Sequence, residues 1–171
     1  MLCPAPPLRT ASGLDGQRRD GGTPPTTWVL LHLGVAHTAA EYRLESRAYN
    51  CAAFRVPDER GWQPEAHELE PGCGLEAWVG SRLPLVALCG ALADKGHNVV
   101  VSEDAGRFIC NWTYHRACRL AEKAASGGAG YIAAHALFVH VPPFTVYGEE
   151  LQRSFLIDVM KAIAECVALG R

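Results

Sequence analysis

Three short apolar runs constrain this chain more than any other feature: "WVLLHLGV" at 28–35, "NVVVS" at 98–102 and "HALFVHVPP" at 135–143. None of them alternates polar with apolar residues along most of its length. Each therefore reads as a strand covered on both faces, the pattern of a sheet sandwiched between helices. "YRLESRAYN" at 42–50 alternates roughly and reads as a further strand. Helix-length segments lie between and after these runs, at 83–98, about 107–125 and about 149–168. Leu83, Val86, Leu88, Leu92 and Ala93 recur at helical spacing in the first, with Gly96 as its stop. Ala117, Leu120 and Ala121 are available to the buried side of the second. Leu151, Phe155, Leu156, Val159, Ile163 and Val167 form a stripe along the third. The expected fold class is α/β: a single three-layer α/β/α domain with a mostly parallel sheet.

Composition supports a packed domain. Apolar residues make up 49% of the 171, and charged residues 20%. The formal charge is −2, from 16 basic and 18 acidic side chains, so a nucleic-acid partner is not expected. No apolar run reaches membrane-spanning length, and the opening residues lack the apolar core of a signal peptide. A cytoplasmic protein with no membrane partner is the expectation. Residues 1–26 are rich in Pro, Gly and Arg and read as a loosely attached or disordered tail before a domain spanning 27–171. The seven cysteines include no CxxC pair and are expected as free thiols.

In α/β sheets, sites gather where loops leave the carboxyl ends of strands. "LHLGV", "VVVSEDAG" and "LFVHVPP" are expected to end near one such edge. Cys110 follows the second run, near a helix start. Backbone N–H groups and the helix dipole there would favour a thiolate. The alternative is a small packed hydrophobe, since Phe108 and Ile109 precede it. His140, between two valines and before Pro-Pro, would be held rigidly and could take a thiol proton. It could equally be a satisfied histidine at a sheet edge. His32 is a second histidine on an apolar strand, expected to be buried near such a site. A Cys–His pair needs a third group to orient the imidazole. Glu45 is the acid available on a strand, unless it is merely solvated. Paired zinc-ligand spacings, a Walker A loop and a GxGxxG turn are all missing from the sequence.

"HLGV" (32–35), "LE" then "N" (44, 45 and 50), "RVPDE" (55–59), "VSEDAGRFICNWTY" (101–114) and "FVHVPP" (138–143) carry a resemblance. In order and spacing the chain resembles the pyroglutamyl-peptidase I family of cysteine peptidases from residue 28 onward. "DAGRFICN" with "FVHVPP" is the most specific part. The resemblance implies removal of amino-terminal pyroglutamate from peptides by an omega-peptidase, with Glu45, Cys110 and His140 as its triad. It implies Arg55 near the developing oxyanion, and Val56, Phe108 and Ile109 about the lactam ring. It implies no metal or organic cofactor and a peptide substrate beginning with pyroglutamate.

The family's opening strand and its TGFxPF loop, whose aromatic residues clamp the ring, have no counterpart here. The domain is therefore expected to be incomplete at its amino terminus. The alternative to a working peptidase is an inactive relative that binds or regulates, or a truncated isoform. Exposed sheet surface would invite self-association.

Overall fold

The computed structural model describes residues 26–126 and 132–168. The expected tail therefore falls outside the described residues, except for Thr26, which already opens the first strand.

The elements run in chain order as β1 (Thr26–Val35), β2 (Tyr42–Glu45), β3 (Arg47–Tyr49), β4 (Cys51–Ala52), β5 (His67–Glu68), β6 (Trp78–Gly80), α1 (Leu85–Ala93), β7 (Val99–Ser102), α2 (Ile109–Ser126), β8 (Ile132–Val141) and α3 (Glu149–Ala168). A four-stranded sheet of order β1-β8-β2-β7 forms the middle layer. β1 runs parallel to β8, and β2 parallel to β7, while β2 meets β8 antiparallel. The sheet is thus mostly parallel, flanked by helices on both faces, as the apolar runs predict. Among the described residues, no helix is long and apolar enough to cross a membrane.

The period of two along each strand sorts side chains between the layers. Tyr42, Leu44, Leu137, Val139 and Val141 pack with α1 and α3 through Leu88, Leu92, Phe155, Val159 and Ile163. Ala134, Ala136 and Phe138 pack with α2 through Tyr114, Ala117, Cys118 and Ala121. Each helix buries a stripe that differs in part from the one its sequence suggests. Val86, Leu120 and Leu151 are exposed, and Leu85, Tyr114 and Cys118 occupy the core instead. Gly96 adopts φ of +89° after α1, the left-handed turn expected of a helix stop.

Residues 42–50 do not form one strand. At Ser46 the chain leaves the main sheet, and β3 pairs antiparallel with β6 in a separate two-stranded sheet. The backbone N–H of Ser46 donates to Ser102 O at 2.7 Å, and its carbonyl accepts from Ser81 N at 3.2 Å. The crossing is possible because Gly80 lies against that carbonyl. A Cβ at Gly80 would sit 2.6 Å from the Ser46 oxygen. β4 and β5 form a third small sheet. These two-residue strands are too short to leave any periodicity in the sequence.

The expected single edge is also corrected. Val35 and Val141 end β1 and β8 side by side, but β7 points the other way because β2 joins β8 antiparallel. Ser102, the end of β7, lies beside Glu45. β1 closes the sheet order on its side. There Leu33 and Val35 line an apolar groove of about 490 Å³ with Phe144, Leu156 and Met160.

Candidate active site

α2 begins at Ile109, so Cys110 occupies its first turn, where unpaired backbone N–H groups point outward. Its neighbour Asn111 fixes that helix end. The fully buried Asn111 amide accepts from Tyr49 N at 2.7 Å and donates to Tyr49 O and Cys51 O, both at 2.9 Å. One side chain thereby ties the start of α2 to β3 and β4.

His140 projects from β8 toward α2 and is 8% exposed. Glu45, on the neighbouring β2, is 0% exposed. The two meet at 2.8 Å, His140 Nδ1–H donating to Glu45 Oε1. The Tyr114 hydroxyl, from α2, donates to the main-chain oxygen of Glu45 at 2.7 Å. Burial pushes the Tyr114 phenol up, which keeps it a donor.

Burial alone would pull His140 down, but hydrogen bonds to Cys110 and Glu45, with the charges of both, overcome it and raise the imidazole to about 9. The bonds and charges beside it therefore favour the protonated imidazole. It stands between a carboxylate and a sulfur. Burial raises the Cys51 and Cys89 thiols, and lifts Cys118 to about 12. Buried His115 likewise falls to about 4 and stays neutral.

Glu45, Cys110 and His140 are therefore brought together from a strand, a helix start and a second strand. Of the remaining sequence-derived residues, Phe108 and Ile109 directly precede Cys110, and Arg55 and Val56 lie on the loop between β4 and β5. The Arg55 guanidinium stands 5.2 Å from the centroid of the Phe108 ring. Phe108 meets Phe54 edge-on at 5.1 Å, and Phe54 meets Trp62 at 5.0 Å. Val56 is 56% exposed and Ile109 46%, so neither is enclosed among the described residues. His32, the second histidine, lies partly buried with its ring stacked on Phe138 at 6.3 Å. Burial lowers its pKa.

Asn111, Tyr114, Phe54 and Trp62 escape the sequence reading as parts of the site. The first two had a usable signal, since both fall within the quoted "ICNWTY". Phe54 and Trp62 lie in an irregular loop whose path no periodicity announces. That loop is shaped by Asp58, whose carboxylate accepts from Arg60 N at 2.8 Å and Trp62 N at 2.9 Å. The expectation of free thiols throughout is corrected at Cys73, which is disulfide-bonded. Cys51, Cys89, Cys110, Cys118 and Cys166 are free. Among the described residues, no group of three or more His, Cys, Asp or Glu side chains is arranged to hold a metal ion.

Known proteins share this arrangement of elements. A sequence model of the family described as pyroglutamyl peptidase matches residues 25–150. The pyrrolidone-carboxylate peptidase of Klebsiella pneumoniae is 33% identical over 115 residues, covering 67% of this chain and 49% of that protein. The pyroglutamyl-peptidase 1-like protein of Homo sapiens is 30% identical over 119 residues, covering 68% of this chain and 53% of its own. The solved pyrrolidone carboxyl peptidase of Thermococcus litoralis superposes with a TM-score of 0.68 at 24% identity, over 84% of this chain and 68% of that one. The enzyme of Fervidobacterium islandicum gives 0.65 at 27% identity, over 80% and 69%. The chain spans about half the length of the curated relatives it matches. On the extent of the family match and the agreement of the fold, this chain belongs to the pyroglutamyl peptidase family.

Proposed function

We propose that this chain carries a cysteine-type omega-peptidase site that removes amino-terminal pyroglutamate from peptides, with Cys110 as nucleophile, His140 as acid–base and Glu45 as its orienting carboxylate. The observation that carries the reading is the buried 2.8 Å contact between Glu45 and His140, with Cys110 among the groups that raise the His140 imidazole.

The chemistry follows from that arrangement. An imidazolium beside sulfur stabilises the thiolate, the nucleophilic form. The sulfur attacks the amide carbonyl joining the lactam ring to the peptide. Negative charge gathers on the carbonyl oxygen, where the first N–H groups of α2 are suited to receive it. Arg55 adds a cation at the rim. His140 then gives its proton to the departing amine. Water, deprotonated by the neutral imidazole, hydrolyses the thioester and restores the pair. Glu45 keeps Nδ1 protonated, so that Nε2 faces the sulfur. The substrate's amino terminus is uncharged, so Val56, Phe108 and Ile109 would meet a ring needing apolar contact and few hydrogen bonds.

The test is release of a chromophore from a pyroglutamyl-amide reporter by the purified chain, set against Cys110→Ala. Release above the Cys110→Ala background supports the reading. Equal release from both contradicts it.

A second reading, a relative that binds without turnover, is favoured by the exposure of Val56 and Ile109. Saturable binding of a pyroglutamyl peptide without hydrolysis would single it out. Self-association belongs to the proposal as well, through the apolar surface beside β1. Sedimentation showing a monomer at high concentration would contradict that part.

A further inference from the structure

We infer that Gly34 is a positioning residue for Cys110: its missing side chain opens the seat in which the sulfur rests beside His140. The inference deepens the cysteine-peptidase reading and rests on it. Gly34 is the one glycine of β1 and lies in register with His140 on β8. Its backbone has no positive φ, so conformational freedom is not what the position requires. Space is. A Cβ there would fall 2.8 and 2.9 Å from the Cζ and Cε1 carbons of Phe138, and 3.1 Å from Cys110 Sγ.

A glycine inside a strand weakens it and marks a close approach of some other group. Here that group is the sulfur, together with the ring that backs it. The ring is poorly placed to yield. Phe138 is buried, stacked on His32 at 6.3 Å, tilted against Tyr114 at 6.0 Å and against His140 at 4.9 Å. Any shift of Phe138 away from a new methyl group is passed to the imidazole. Any shift of Sγ alters its placement relative to that imidazole. Either movement weakens the interaction that raises His140.

The experiment measures alkylation of Cys110 by iodoacetamide against pH in the full chain, with the Cys110 peptide followed by mass spectrometry. Gly34→Ala is expected to slow alkylation at pH 7 by about tenfold or more, as small misplacements at reacting centres do, and to move the pH profile. Gly34→Ala combined with Phe138→Leu is expected to return rate and profile to near wild type, because the smaller side chain vacates the space the methyl needs. A role confined to strand stability would lower the melting temperature and leave the profile in place. A folded Gly34→Ala protein with the wild-type profile overturns the inference, and so does a double variant that stays slow or fails to fold. The readout is thiol chemistry, so a chain that hydrolyses no reporter still decides the point.

Discussion

On the face covered by α1 and α3, β2 and β8 bury Tyr42, Leu44, Leu137, Val139 and Val141 in an apolar layer. On the face covered by α2, the same two strands bury Glu45, Phe138 and His140. The first face is secured mainly by shape, with the buried Gln152 adding directed bonds at its margin. Tyr42 stacks on Phe155 at 3.6 Å and on Tyr147 at 5.1 Å, and the buried Gln152 spans Pro142 O at 2.8 Å and Tyr147 O at 3.0 Å. The second is secured by directed bonds, from Asn111, Tyr114 and the Glu45–His140 pair. Packing tolerates many side chains of similar size. A buried polar network tolerates few, since any group left unpaired keeps its desolvation cost. One strand can thus serve stability on one side and chemistry on the other.

Substitutions on each face should have separable effects. Phe155→Ala, in the apolar layer, is expected to cost about 3–5 kcal/mol of stability while leaving the titration of His140 in place. Denaturant unfolding and imidazole NMR check the two parts. A shifted titration would show that the faces are coupled.

The next effect comes from pH. The folded imidazole is raised from 6.5 to about 9, so it binds its proton more tightly in the folded state. Its contribution to stability is full below pH 6.5 and is lost as pH rises through about 9. Unfolding midpoints measured across that window should decline in the wild type more than in His140→Gln. Equal slopes would contradict the assignment.

Asn111→Ala should cost about 1–3 kcal/mol, the penalty for leaving buried backbone groups unpaired. It should also slow alkylation of Cys110, since the start of α2 loses its tie to β3 and β4. A loss of stability with unchanged alkylation would make Asn111 structural only. Val56→Ala is the smallest change, within about 0.5 kcal/mol as for most exposed positions. Its effect should appear in the KM of a pyroglutamyl reporter.

The same contrast explains what could be read in advance. The apolar runs at 28–35, 98–102 and 135–143 gave away three strands, although only the last is buried on both faces: Trp28, Leu33, Val35 and Val100 are exposed. α3 was legible over its full length from its stripe. The reversal of β7 relative to β8 was not, because pairing direction depends on how β2 inserts and leaves no trace in either strand. Glu45, Cys110 and His140 were individually ambiguous: each had a bland reading that fitted its local pattern. Resemblance singled them out, and the fold brings them into contact. Asn111 and Tyr114 fall within the motif around Cys110, but their roles depend on partners the motif does not contain: Tyr49, Cys51 and the Glu45 carbonyl. Gly80 and Gly34 share that property. Each is explained by an atom distant in sequence that occupies the place of its absent side chain.

The central claim is that Glu45, from within the sheet, holds His140 as an imidazolium against Cys110. Titrating the His140 ring by NMR in the wild type and in Glu45→Gln tests it most directly. The account predicts a wild-type midpoint of about 9, and a markedly lower one once the carboxylate is removed and burial dominates. A wild-type midpoint at or below the ordinary 6.5, or one that Glu45→Gln leaves unmoved, would contradict it.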